Sequence, residues 1–388
     1  MPLLLISLLL HAYVGARVAP ALPAGPWTWL FIALVVASAL LMPMALLARR
    51  VRTQPLADRL AWAGALAMGL FSSLFVLTVL REVLLLLAWL LALPGVTGPS
   101  AVAVPVLGLA VTLWGFVNAR RTAAVVAVDV PIADLPAALH GFTIVQISDI
   151  HVGPTIKRPY LRRIVEAVNA LGADMVAVTG DLVDGSVRDL AEHVAPLAGL
   201  HSREGTFFVT GNHEYYSGAA AWVGELRRLG IAVLMNEHVV LRRGDAAIVV
   251  AGVTDFNAGH FDRAEASDPK RALAGSPPAA LRLLLAHQPR SAEAAEAAGF
   301  DLQLSGHTHG GQFLPWNFLV RLQQPFTAGL KRWRRMWVYT SRGTGYWGPP
   351  KRFGAPSEIT LLRLVPALRP VAARSRPLPE PVPAPTGV

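Results

Sequence analysis

The 388-residue chain has no cysteine and is short of acid, with 25 Asp+Glu against 35 Lys+Arg for a formal net charge of +10. Without cysteine there is no disulfide framework, no thiolate zinc site and no cysteine nucleophile. The acid deficit is uneven. Up to Arg121 the chain carries 8 Lys/Arg and 2 Asp/Glu, and beyond it 27 and 23, so the basic excess is concentrated in the greasier third. That distribution fits a membrane surface and argues against nucleic acid as the partner.

Hydrophobic residues make up 53% of the chain, and four long apolar runs precede Arg121, at about 3–18, 27–48, 61–93 and 101–117. A bilayer core takes about 20 helical residues, so 1–121 reads as a transmembrane region of about four helices, the third long enough to tilt. The first run lacks a basic start and is followed at once by another, which argues against a cleaved signal. Arg49, Arg50, Arg52 and Arg59 lie between the second and third runs, and Arg120 and Arg121 follow the fourth, whereas the loop 94–100 is uncharged. By the excess of basic residues on the inner face, both chain ends and the large domain belong in the cytoplasm. The expectation is a multi-pass protein of the inner or plasma membrane. Arg81 and Glu82 fall inside the third run, where adjacent opposite charges near a helix end are expected to pair or to snorkel. The segment 366–388 is proline-rich, has no apolar period and is expected to be disordered.

Between these ends, 122–365 alternates short β-branched runs with helical stretches, the pattern of a layered α/β domain. The chemistry stands at the carboxyl end of each run. The run 142–148 leads to Asp149 and His151, 175–180 to Asp181, 206–211 to Asn212, His213 and Glu214, 281–286 to His287, and 301–306 to His307 and His309. Carboxyl ends of strands are where α/β sheets bind ligands, because rigid strands fix the first loop residues. Imidazole and carboxylate together suit divalent Zn, Mn, Fe or Co. One ion seldom takes so many protein ligands and keeps an open position, so two ions fit better, with Asp181 as the natural bridge. Two such ions sharing a water can lower its pKa and hold both the attacking and the leaving oxygen of an in-line displacement at phosphorus. Alone, a Gly-Asp is an ordinary turn and a lone histidine an ordinary strand end; five blocks in order, each behind an apolar strand, are not. The remaining histidines, His11, His140, His193, His201, His238 and His260, lack such a setting. Asp184, Asp255 and Asn257 lie near strand ends and read as supporting or turn residues outside the ligand set.

With its D-x-H, G-D, G-N-H-[D/E], H and G-H-x-H blocks, the chain resembles the calcineurin-like metallophosphoesterases over about 125–364. The segments 341–345 and 355–360 resemble the end of membrane-associated bacterial members of the YkuE/YaeI type. The resemblance implies a four-layer α/β/β/α sandwich, here preceded by the all-α membrane bundle. It implies that Asp149, His151, Asp181 and His309 hold one metal and Asp181, Asn212, His287 and His307 the other. His213 would face the substrate, stabilising phosphoryl charge and protonating the leaving oxygen, with Glu214 as a neighbour favouring its charged form.

Tethering an esterase to four spans suits a substrate in or near the bilayer, where confinement raises its local concentration. The segment 312–337 interleaves Trp316, Phe318, Phe326, Trp333 and Trp337 with Arg321, Lys331, Arg332, Arg334 and Arg335, a composition suited to a lipid-facing lip. The expected function is a membrane-anchored, dinuclear phosphodiesterase or pyrophosphatase acting on a lipid-linked substrate, for example a UDP-diacylglucosamine. The alternative is a transporter or sensor whose metal domain is regulatory.

Overall fold

Runs that are apolar on every side can be stable only as buried or lipid-facing helices. The computed structural model describes residues 2–51 and 53–367; Met1, Arg52 and 368–388, most of the expected disordered tail, lie outside the described residues. The runs fold as α1 (Pro2–Val18), α2 (Pro26–Leu41), α3 (Met44–Leu47), α4 (Gln54–Leu90) and α5 (Thr97–Arg120). Within them, Leu3–Ala21, Pro26–Leu47, Gln54–Leu90 and Thr97–Arg120 are long and apolar enough to cross a membrane. Val14, Phe31, Val35, Phe71, Leu74 and Val104 form the bundle's small core. Trp27, Trp29 and Trp89 point outward.

At about 1.5 Å per residue the 37-residue α4 measures about 55 Å, well beyond a bilayer core of about 30 Å. The surplus does not all stand clear of the second region. The first half of α4 docks on the second region, where Asp58 pairs with Lys157 at 3.0 Å and Ser72 Oγ accepts from Trp316 Nε1 at 3.1 Å. Nor does Arg81 snorkel. Its buried side chain donates to Ser100 Oγ (3.1 Å), Arg17 O (2.9 Å) and Thr97 O (3.2 Å), and the adjacent Glu82 pairs with Arg17 and with Arg81. The two charges thus tie one end of α1, α4 and α5 together.

The second region contains two six-stranded sheets. One has the order β1 (Ala124–Ile132), β12 (Glu358–Pro366), β2 (Thr143–Ile147), β3 (Met175–Val178), β4 (Thr206–Phe208), β5 (Ala232–Val233). The other runs β10 (Gly329–Trp333), β11 (Met336–Thr340), β9 (Leu302–Ser305), β8 (Leu281–Leu285), β7 (Ala246–Gly252), β6 (Glu237–Arg243). Strands β2–β5 and β7–β8–β9–β11 pair in parallel, and β3 and β7 are buried along their whole length, as parallel strands covered on both faces must be. Ile144, Met175, Phe207, Leu283 and Leu304 fill the space between the sheets. Outside the first sheet lie α6 (Arg158–Asn169), α7 (Val187–Val194) and α9 (Ala219–Arg228), with the short α8 (Asn212–Ser217) between β4 and α9 in the chain, and outside the second α10 (Pro269–Leu273) and α11 (Ala292–Ala298). This is the expected α/β/β/α layering. Pro366, expected in the tail, instead ends β12 in register with Ile132.

The aromatic and basic segment 312–337 divides in two. Its second half is the β10–β11 hairpin, where Trp333 packs on Phe326 and Arg334 and Arg335 pair with Glu296 at 3.2 and 3.9 Å. Both guanidinium groups remain largely exposed. The first half contains α12 (Trp316–Leu319) and leaves Leu314, Trp316, Phe318, Leu319 and Leu322 exposed, the last by 86%.

Candidate metal centre

The loops that follow β2, β3, β4, β8 and β9 come together in one place, and all eight residues singled out from the sequence converge there. Loops after β2 and β3 run side by side, with Asp149 N donating to Gly180 O (3.0 Å), His151 N to Asp181 O (3.1 Å) and Asp184 N to Val152 O (2.8 Å). Asp149, His151, Asp181, His307 and His309 all have φ between 50° and 70°. Side chains rarely adopt that left-handed region, and a cluster of such residues persists only where the surroundings over-determine it.

Two of the blocks' glycines are explained by another block's carboxylate. A side chain at Gly211 would run into the Asp181 carboxylate, and one at Gly306 into Asp149 Oδ2. Asp149 accepts from His307 N at 2.9 and 3.1 Å, and Asp181 Oδ1 from His213 N at 2.9 Å. Asp181 Oδ2 is 3.1 Å from His287 Nε2, 4.0 Å from His151 Nε2 and 3.9 Å from His213 Nε2. It therefore stands between the two halves of the site.

Those halves are Asp149, His151 and His309, and Asp181, His287 and His307; in each, three ligand atoms lie within 4.8 Å of one another. The donor chemistry fits cations. His151 Nε2 and His309 Nε2 are 3.0 Å apart, and His307 Nδ1 and His287 Nε2 3.2 Å apart, so each pair can share one proton or be bridged by an ion in its place. His287 Nδ1 donates to Thr179 O at 2.7 Å, which leaves its Nε2 lone pair turned inward. Asn212 Oδ1 is buried with no hydrogen-bond partner among the described residues, an orphan acceptor that a cation would satisfy.

His213 sits above Asp181, but its partner is not Glu214. Its Nδ1 hydrogen-bonds Asp184 Oδ1 at 2.5 Å, and the same oxygen is 3.2 Å from His151 Nδ1. Burial opposes protonation of His213, yet the Asp184 hydrogen bond and the charges of Asp181 and Asp184 outweigh it and raise its pKa to about 9; Glu214 adds the smallest of these contributions. Glu214 is turned into the fold, accepting from the backbone of Gly211 (2.6 Å), Leu182 (2.8 Å) and Asp181 (2.9 Å). Burial, with Asp181 nearby, pushes its pKa up to about 7.

Sequence reasoning passed over the walls of the site. The cleft, of about 350 Å³, is also lined by Tyr216, Gln288, Arg290, Gln323 and Trp347. Arg290 is its cation, 5.2 Å over the Phe256 ring and donating to Gln323 O at 2.7 Å. Its position three residues after His287 was the available signal, whereas Asp184, against the His151 and His213 rings, takes the supporting place expected of it. Asp255 is buried against Gln288 Nε2 at 3.0 Å, a supporting place in line with the expectation.

Residues 142–311 match the family model described as calcineurin-like phosphoesterase. A Danio rerio protein named as a transmembrane protein with metallophosphoesterase domain is 36% identical over 373 residues, covering 89% of this chain and 82% of that protein. An uncharacterized metallophosphoesterase of Campylobacter jejuni is 39% identical over 249 residues, 64% of each chain. The uncharacterized metallophosphoesterase YkuE of Bacillus subtilis is 30% identical over 241 residues, 59% of this chain and 81% of its own.

Proposed function

The chain belongs to the calcineurin-like metallophosphoesterase family, and on that premise we propose that it is a dinuclear phosphodiesterase or pyrophosphatase working at the cytoplasmic face of the cell membrane on a lipid-linked substrate. The observation that carries this reading is the position of Asp181 between two three-ligand clusters inside one cleft. Asp149, His151, Asp181 and His309 hold one ion, and Asp181, Asn212, His287 and His307 the other, with Asp181 shared. The nitrogen and oxygen donors, without sulfur, suit Mn, Zn, Fe or Co. When bound, two such ions supply positive charge to the phosphoryl oxygens and acidify the water that attacks phosphorus. His213 is the catalytic residue of the chain itself. With Nδ1 fixed by Asp184, its Nε2 is free to face the phosphoryl group and to protonate the departing oxygen. Arg290 meets a further negative charge, as a diester or diphosphate presents.

The lip supports a lipid-linked substrate. Trp316 Nε1 donates to Ser72 Oγ of α4 at 3.1 Å, so the exposed apolar patch 314–322 continues the flank of the bundle. The Arg290–Gln323 hydrogen bond joins the lip to the cleft wall, and a headgroup lifted from the leaflet reaches the cleft without its acyl chains leaving the lipid. A UDP-diacylglucosamine is one substrate of this chemistry. Orientation follows from the arginines: Arg120 donates to Thr155 O and Tyr346 Oη of the phosphoesterase region, which supports placing that region at the arginine-rich, cytoplasmic end.

The test is hydrolysis of bis(p-nitrophenyl) phosphate by full-length, Mn²⁺-loaded protein. Asp181→Ala and His213→Ala should be inactive while folded; rates equal to wild type reject the reading. Protease added to intact cells should leave the phosphoesterase region uncut, and its digestion would reverse the orientation.

A further inference from the structure

Two neighbouring cations, Lys351 and Arg352, are 2% and 1% exposed, and no carboxylate is among their hydrogen-bond partners in the described residues. A buried cation without a counter-ion is expensive, so their contacts call for a reason. Lys351 Nζ donates to Gly69 O (3.1 Å) and Ser73 Oγ (2.6 Å) of α4. Arg352 N donates to Gly115 O of α5 at 2.8 Å, and a Cβ on Gly115 would stand 2.7 Å from Lys351 Cγ. On that side the pair is keyed into two helices of the bundle.

On the other side it reaches the metal pocket. Arg352 Nη1 donates to His309 O (2.9 Å) and Arg342 O (2.7 Å), and Nη2 lies 3.1 Å from His309 Nδ1. Arg352 also binds Gly345 O, and Gly345 N donates to Asp149 O at 3.1 Å. Asp149 and His309 are thus held from behind by one loop, 342–352, that hangs on α4 and α5. Both have left-handed backbones, conformations that last only under outside constraint.

We propose that Lys351 and Arg352 are positioning residues that make the Asp149–His151–His309 half of the metal pocket depend on helices α4 and α5, so that the bundle is a working part of the site and not only its tether. The proposal rests on the dinuclear reading. In the other half, His287 is fixed from within the sheets, by Thr179 O.

The experiment is Mn²⁺ titration of the full-length protein by calorimetry, with His309→Ala and His287→Ala assigning the two binding steps to the two halves. Gly115→Ala, a methyl in α5 remote from the cleft, and Lys351→Met, which removes the ammonium at similar length, should each weaken the His309-assigned step by about tenfold or more, the scale for losing support behind a metal ligand. The His287-assigned step should stay near wild type, and both variants should still unfold in one cooperative transition. Wild-type binding by both variants overturns the proposal, and so does equal weakening of both steps. A wild-type protein that takes up fewer than two ions overturns the dinuclear reading itself.

Discussion

The two halves of the metal pocket offer similar donors and differ in what stands behind them. Behind His287 is a strand-end carbonyl, Thr179 O, and behind Asp181 are backbone amides gathered by Glu214. All of these belong to the layers of the phosphoesterase sandwich. Behind His309 and Asp149 is the loop 342–352, whose own support comes from α4 and α5. A pocket assembled from strand ends can be rigid where its backing is sheet and adjustable where its backing is a loop hung on another body. The comparison therefore predicts unequal sites.

The sharpest way to break it is to remove the residue proposed as common to both halves. Asp181→Ala should cost at least about a thousandfold in kcat toward bis(p-nitrophenyl) phosphate, the scale on which a lost transition-state contact acts, and calorimetry should show both Mn²⁺ steps gone. If only one step disappears, Asp181 belongs to one half and the bridge is wrong.

Asp184→Asn should be next in size and one-sided. The carboxylate holds His151 Nδ1 and His213 Nδ1, and the amide cannot serve both rings as a charged acceptor. A loss of about 10- to 100-fold in kcat is expected, with the His309-assigned Mn²⁺ step weakened through His151 and the His287-assigned step unchanged. An unchanged rate would mean that the two rings are oriented by something other than this oxygen.

Leu322→Glu addresses the lip rather than the pocket. A charge on this exposed apolar residue should reduce hydrolysis of a lipid-linked diphosphate in mixed micelles by about tenfold, since each buried methylene is worth about 0.8 kcal/mol and a carboxylate opposes burial besides. Turnover of water-soluble bis(p-nitrophenyl) phosphate should not change. Equal losses on both substrates would make the lip a structural element.

The sequence exposed the candidate site residues because each stands directly after an apolar run, and the end of a run is local information. Asp149, His151, Asp181, Asn212, His213, His287, His307 and His309 converge because the strand ends do. What stands behind them was not local. Asp184 serves two rings because the loops after β2 and β3 run in parallel, and Glu214 faces the backbone because α8 begins against that same pair of loops. A Lys-Arg pair in a proline- and glycine-rich stretch reads as a solvated turn, and only the docking of α4 and α5 buries it. Likewise the tryptophans and cations of 312–337 form one pattern in the sequence, while strand pairing assigns half of them to a hairpin. Composition identified the four candidate spans; it could not tell that half of α4 serves as a docking face.

The smallest effect separates the bundle-backed half by pH. Burial lowers the Lys351 pKa from 10.5 to about 8. Below about 8 its ammonium is charged in both the folded and unfolded states, and the folded state carries the full cost of burying it. Between about 8 and 10.5 the unfolded chain binds a proton that the folded protein does not, so stability rises with pH in that window. Above it both states are neutral and the cost is gone. The neutral amine still donates to Gly69 O and Ser73 Oγ, so the contact survives deprotonation. Relative to Lys351→Met, the wild-type unfolding temperature in detergent should therefore climb between pH 8 and 10 by about 2–4 °C, the shift that about 1 kcal/mol produces in a domain of this size. Arg352, lowered to about 10 by burial, titrates in both proteins and largely cancels in the difference. A difference that stays flat with pH would show that the Lys351 ammonium reaches water, and an ammonium in water is not keyed between Gly69 and Ser73.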